Sequence, residues 1–317
     1  MALQTNSRLS DVDEYGFERP PDFDYQNYEE FMSRYLSVLT RRARKWSHLL
    51  GAKETVGRGI KVKRYVRKGI PMKHRGKMWM EVSGGRRKME AHPGYYKSLL
   101  EGSFDEEVVE SIKIDVPRTF PDNIYFRDYN EGKLTDLYNV LVAFAHHNKK
   151  IGYCQQEAMP FIEICSTGPS THIAGPLLDH ITERRGKHVL APEFRSKNLL
   201  LSTISGIDSL RSLLTDISVG IPCETVLRIW DCLFYEGNKI LMRVAIILVL
   251  SNEQKILMSQ DFGDFMECFK KITKDADAID CHTFMENAFK VSGSFPRARL
   301  AKLRDECKEE VRAEMKK

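Results

Sequence analysis

The 317-residue chain has no long apolar run. Its most hydrophobic stretch, Val244 to Leu250, falls far short of the roughly 20 residues that span a bilayer, which argues against a membrane helix. It also lacks a basic start followed by an apolar core at the N-terminus, so a secretory signal is not expected. The seven cysteines are odd in number and fall in no CxxC or Cys/His ligand spacing. Neither a disulfide framework nor a structural zinc is expected, and reduced thiols in a cytoplasmic protein are the default. Strand-like alternation is nearly absent and no internal repeat is found, which leaves helices as the building material.

What is present is charge, unevenly spread. Residues 1–40 carry eight Asp/Glu against three Arg, whereas residues 41–88 carry seventeen Lys/Arg against two Glu. The whole chain is only +5, so the basic block is offset elsewhere. Such a block suits an anionic partner, and contact with anionic membrane through residues 41–88, peripheral on endomembranes, is one reading. A set of solvated helix faces is the other. No aromatic residues interleave the block and no finger or RNP motif occurs, so nucleic acid is not an expected partner.

Residues 1–24, polar and carrying Pro20-Pro21, read as a flexible lead-in. From Tyr25 to Leu50, Tyr28, Phe31, Met32, Tyr35, Leu36, Leu39, Trp46 and Leu49 recur at helical spacing, which predicts an amphipathic helix. Residues 51–63 hold three glycines without periodicity and read as a linker, so 25–64 forms an N-terminal helix plus linker. A short helix is expected over Met72–Val82, begun by Pro71 and ended by Ser83-Gly84-Gly85. Further helices are expected over 94–102, 105–114, Leu134 to Asn148, Glu224–Phe234, Ile240–Leu250, Phe262–Ile272, Cys281–Val291 and Ala298–Glu314. The expected fold class is all-α, built from many short helices. Residues 156–220, with Gly168-Pro169, Gly175-Pro176 and a basic run at Glu183–Lys187, are the least domain-like stretch.

Two stretches could carry chemistry. In Ile112-Lys-Ile-Asp115-Val-Pro-Arg118-Thr119, Asp115 and Arg118 lie three apart, close enough for the carboxylate to orient the guanidinium. Pro117 disfavours helix around Asp115, so Arg118 is expected where the chain turns out of the helix. There it could enter a partner's site, or it could merely brace a helix terminus. In Gly152-Tyr153-Cys154-Gln155, glycine permits a sharp turn, Tyr153 can anchor it, and the Gln155 carboxamide offers both a donor and an acceptor. In isolation this is an ordinary loop.

Together, Ile112-x-x-Asp115-x-x-Arg118 and Tyr153-x-Gln155 resemble the paired signature of TBC domains, which activate Rab GTPases. Arg67-Lys68-Gly69-Ile70-Pro71 followed by Arg75 and Trp79 resembles the family's opening motif, and Pro222 to Asp231, with Arg228-Ile-Trp230-Asp231, its closing one. The four occur in the family's order. The stretch Tyr15–Pro20, the region around Trp46 and Cys281–Met285 are similar to one branch of the family, over residues 12–155 and 221–307.

The resemblance implies a TBC domain over residues 65–315 and a GTP-bound Rab-family GTPase as partner. It implies that Arg118 and Gln155 are the catalytic pair, with Asp115, Ile112, Tyr153 and Thr119 in support. Nucleotide and Mg²⁺ would arrive with the partner, so no cofactor belongs to this chain. The family pattern breaks after Gln155, where Gln156-Glu157-Ala158-Met159-Pro160 puts a proline where helix is expected. It resumes at Ile221. The centre of the fold is therefore expected to be altered, with 156–220 poorly ordered and Gln155 loosely held. Three readings follow: an active Rab GTPase activator, a catalytically impaired relative that binds Rab as a scaffold, or a non-functional form whose middle does not fold.

Overall fold

The computed structural model describes residues 11–19, 21, 23–51, 56–103, 105–128, 133–147, 149, 153, 223–237, 239–261 and 280–294, with isolated positions at 264, 267, 268, 296, 298, 302, 305, 306 and 309. The expectations for 156–220, and most of those for the helices at 262–272 and 298–314, lie outside these residues. Among the described residues there are helices and two isolated β-bridges but no strand, as the all-α expectation requires.

The chain divides into two compact units, interwoven in sequence. The first takes its described residues from Met1–Val56, Pro71–Met80 and Arg86–Leu178; the second from Gly57–Ile70, Glu81–Gly85 and Asp179–Lys317.

In the first unit, α1 (Tyr25–Leu50) begins where the Asp24 carboxylate accepts the Asn27 N–H at 2.9 Å, an N-cap that satisfies one orphan donor. Tyr35, Arg42 and Trp46 form its buried face. Arg42 points inward and donates to the Tyr35 hydroxyl at 3.1 Å. The helix α3 (Met72–Ser83) contributes the buried Arg75, Met78 and Trp79, and α4 (Gly85–Ala91) and α5 (Tyr95–Leu100) follow. Helix α6 (Glu106–Thr119) packs against α7 (Leu134–His147), whose Leu134, Leu137, Val140, Leu141 and Phe144 are buried. A 3₁₀ turn, Ile124–Phe126, lies between them in sequence.

The lead-in differs from its expectation. Tyr15 is buried, and residues 11–19 form a tight, hydrogen-bonded hook. Asp13 makes the turn: its carboxylate accepts the N–H groups of Tyr15 at 2.8 Å and Phe17 at 2.9 Å. Gly16, with φ of 92°, takes the left-handed conformation that closes it. Residues 1–10, 20 and 22 lie outside the described set.

In the second unit, α8 (Cys223–Glu236) is buried on every side from Thr225 to Tyr235, and α2 (Ile60–Arg67), α9 (Lys239–Ser251) and α11 (Cys281–Lys290) pack around it. A short α10 (Glu253–Leu257) follows α9. Helix α2 overlaps the expected linker and α4 was not expected; both are short, and burial of Val62 and Val66 rather than periodicity secures α2. The opening and closing motifs meet here. Asp231 accepts the Ile70 N–H at 2.8 Å, and Arg228 donates to the Arg67 carbonyl at 3.1 Å and contacts the Cys281 sulfur at 3.7 Å. Ile70, Arg228 and Asp231 are 1% exposed or less, so they hold the unit together rather than meet a partner. Burial raises the Cys232 thiol, with the nearby Asp231 charge in the same sense, which leaves it inert.

Candidate functional site

The site is built on the last two turns of α6. The Asp105 carboxylate caps the start by accepting the Glu107 N–H at 3.0 Å, and Glu106 and Glu107 complement the helix dipole. Pro117 does not end the helix, which continues to Thr119, so the expected exit near Asp115 is displaced by about one turn. Proline removes one backbone donor, and two side chains brace this turn in its place. The Thr119 hydroxyl donates to the Asp115 carbonyl at 2.7 Å, and the Arg118 guanidinium is ion-paired to the Asp115 carboxylate.

Burial separates the roles of these residues. Ile112 and Val116 are fully buried and fix which face of α6 turns inward. The Asp115 side chain is 10% exposed, whereas Arg118 is 60% exposed. A buried carboxylate thus holds an exposed guanidinium by one nitrogen, leaving the rest of the fork to solvent. The other Asp115 oxygen, Oδ2, accepts the Tyr153 hydroxyl at 3.0 Å. Both carboxylate oxygens are therefore engaged, one by the arginine and one by a tyrosine 38 residues away. The anchoring expected of Tyr153 has a partner that no spacing revealed.

Of the residues singled out in the sequence, Ile112, Asp115, Arg118, Thr119 and Tyr153 come together. Gln155 lies outside the described residues. Sequence reasoning missed the neighbourhood just beyond α6, where the hook of residues 11–19 pairs with residues 122–124. The signal for it was local: an Asp at position 13 and a Gly at 16 set for a tight turn.

Residues 40–163 match the family model described as the Rab-GTPase-TBC domain, and residues 199–291 match that described as the RabGAP TBC domain. Growth hormone-regulated TBC protein 1-A of Danio rerio is 42% identical over 331 residues, covering 97% of this chain and 92% of that protein. Growth hormone-regulated TBC protein 1 of Homo sapiens is 40% identical over 337 residues, covering 97% and 98%. The chain belongs to the TBC domain family.

The solved Chlamydomonas flagellar RabGAP TBC domain superposes with a TM-score of 0.68 at 26% identity, over 88% of this chain and 99% of that one. The solved Ypt/Rab-GAP domain of Gyp1p, at 15% identity and a TM-score of 0.55, shares the fold. The first TBC match includes both Arg118 and Gln155. The family matches run to residue 163 and resume at 199, so the break expected over 156–220 narrows to 164–198.

Proposed function

We propose that this TBC domain accelerates GTP hydrolysis by a GTP-bound Rab-family GTPase, supplying Arg118 and Gln155 in trans. The observation that carries the proposal is the exposed Arg118 guanidinium tethered to the buried Asp115 carboxylate. One nitrogen of the guanidinium is held by Asp115 while the side chain is 60% exposed, which leaves the remaining donors available to a partner.

In the bound complex Arg118 neutralises charge developing on the transferring γ-phosphoryl oxygens. Its planar fork reaches two oxygens at once, and its charge persists at any physiological pH. Such a finger contributes about 10³ to 10⁵ in rate, or roughly 4–7 kcal/mol of transition-state stabilisation. Gln155 aligns the attacking water, its carboxamide accepting from the water while donating elsewhere. Asp115 and Tyr153 restrict the arginine before the partner arrives, so less ordering is left for the complex. Nucleotide and metal come with the Rab. The test is single-turnover GTP hydrolysis by a panel of Rabs, with and without the chain; no acceleration of any member would overturn the proposal.

We further propose that helix α1 contacts anionic membrane. Arg41, Arg44, Lys45 and His48 are exposed and lie at helical spacing along one stripe, opposite the buried Arg42 and Trp46. Three permanent charges on one face concentrate attraction to acidic lipid, at about 1 kcal/mol for each Lys or Arg near the surface.

A further inference from the structure

We infer that the N-terminal hook, residues 11–19, is a positioning element for Arg118, acting through the chain that leaves α6. The inference rests on Arg118 being the arginine finger. The hook lies before the first family match, which begins at residue 40.

The contacts are concentrated on four residues. Arg118 is the penultimate residue of α6, and Phe120 is the C-cap. From there the backbone is gripped by the hook: Glu18 N–H donates to the Asp122 carbonyl at 2.8 Å, and Ile124 N–H to the Gly16 carbonyl at 2.9 Å. The fully buried Asn123 donates from its amide to the Tyr15 carbonyl at 3.1 Å, and its carboxamide oxygen accepts the Tyr125 N–H at 3.0 Å. The Phe17 ring stands edge-on to Phe120 at 5.2 Å, and Phe120 in turn stands edge-on to Phe126 at 5.2 Å. The hook is itself moored at its base, where the buried Arg75 donates to the Tyr15 hydroxyl at 2.9 Å.

This arrangement answers a mechanical difficulty. A helix containing Pro117 has lost a backbone hydrogen bond in the turn that carries Arg118. Helix ends fray, and an arginine one residue from a free end would swing with the fraying turn. The hook closes that end by tying down residues 120–124, while Asp115 and Tyr153 hold the arginine from the other side. Arg118 is thus fixed from both directions along the chain.

The geometry also fixes which residues matter. Gly16 is confined twice over: its φ of 92° resists any side chain, and an added Cβ would lie 2.8 Å from the Asn123 oxygen and collide with the Tyr125 ring. Gly16→Ala should therefore lift the hook from residues 122–125. Phe17 is only part-buried, so Phe17→Ala removes the ring contact on Phe120 with little cost to the core. Phe17→Tyr keeps the ring that meets Phe120.

The experiment uses the full chain and the Rab that it accelerates most. Phe17→Ala and Gly16→Ala should each lower the saturating rate of GTP hydrolysis by roughly 10- to 100-fold, the cost of misplacing a catalytic group by about 1 Å. The KM for the Rab should stay within about twofold. Phe17→Tyr should restore the rate. Amide exchange should rise in residues 118–126 of both variants and stay unchanged in α8. Parent-like saturating rates in Phe17→Ala and Gly16→Ala, alongside a slow Arg118→Ala, would overturn the inference and leave the finger intact. A parent-like rate in Arg118→Ala would instead remove the reading on which the inference rests. A fall in thermal midpoint with no change in saturating rate would assign the hook to stability alone, which also overturns it.

Discussion

Tyr153 donates its hydroxyl to Asp115 Oδ2 at 3.0 Å, on the carboxylate whose other oxygen holds Arg118. This one bond links the two sequence stretches that resemble the TBC signature. Tyr153→Phe removes the hydroxyl while keeping the ring. A hydrogen bond to a charged group is worth about 1.5–3 kcal/mol, and the carboxylate is mostly buried. We expect the maximal rate of Rab-bound GTP hydrolysis to fall by about 10-fold, with Rab affinity little changed. Saturation kinetics on the variant check this, and an unchanged maximal rate would separate Tyr153 from the finger.

Asp231 is fully buried and accepts the Ile70 N–H. Asp231→Ala leaves that donor unsatisfied, at about 1–3 kcal/mol. With a midpoint shift of about 2–4 °C for each kcal/mol in a chain of this size, the loss is readily seen in thermal unfolding. Asp231→Asn retains an acceptor oxygen and should lie between the parent and Asp231→Ala. Identical midpoints for all three would show that the joined motifs contribute nothing to stability.

Acid should weaken the second unit through Glu236. Burial opposes ionisation of this carboxyl, but the Arg67 hydrogen bonds at 2.5 and 2.7 Å and the charges of Arg67 and Lys63 outweigh it, and its pKa falls below the usual 4.5. A group whose pKa is lower in the folded state stabilises fully above its unfolded value. That contribution is lost as pH falls through the lower, folded one. Glu236→Gln should therefore be less stable than the parent at neutral pH, with the gap closing as pH falls below the ordinary carboxyl value of 4.5. Thermal midpoints across that range decide it; a gap independent of pH would contradict the linkage.

The cationic stripe on α1 predicts binding to acidic liposomes that weakens between low and physiological salt, as screening shortens the reach of its charges. Arg41→Glu with Arg44→Glu should abolish it. Equal binding to neutral and acidic liposomes would leave these residues as a solvated face. Other members of the basic block are already spoken for: Arg42 by Tyr35, Arg67 by Glu236 and Arg75 by Tyr15.

Helix α1 was legible from Tyr25 to Leu50 because its apolar residues repeat over several turns, and long periodic signals survive tertiary context. Helix α2 was not. Val62 and Val66 alone mark its buried face, glycines precede it, and its β-branched residues argue weakly against helix until α8 covers them. The Asp115–Arg118 pair was legible because helical spacing alone brings such residues together. The Tyr153 bond and the hook were not, since each depends on a contact between residues far apart in sequence. Polar residues and two prolines made 1–24 look mobile, and only the burial of Tyr15 against Arg75 reveals an anchored segment.

The central claim is that Arg118 and Gln155 act together on GTP bound to a Rab. The most direct measurement is single-turnover hydrolysis, at saturating chain, by the Rab that the parent accelerates most, comparing the parent with Arg118→Ala, Arg118→Lys and Gln155→Ala. Lysine keeps the charge but not the planar fork, so Arg118→Lys should be nearly as slow as Arg118→Ala, both down by about 10³-fold or more. Gln155→Ala should be slowed as well, with Rab binding retained in all three. An Arg118→Ala chain that hydrolyses Rab-bound GTP as fast as the parent would contradict the account.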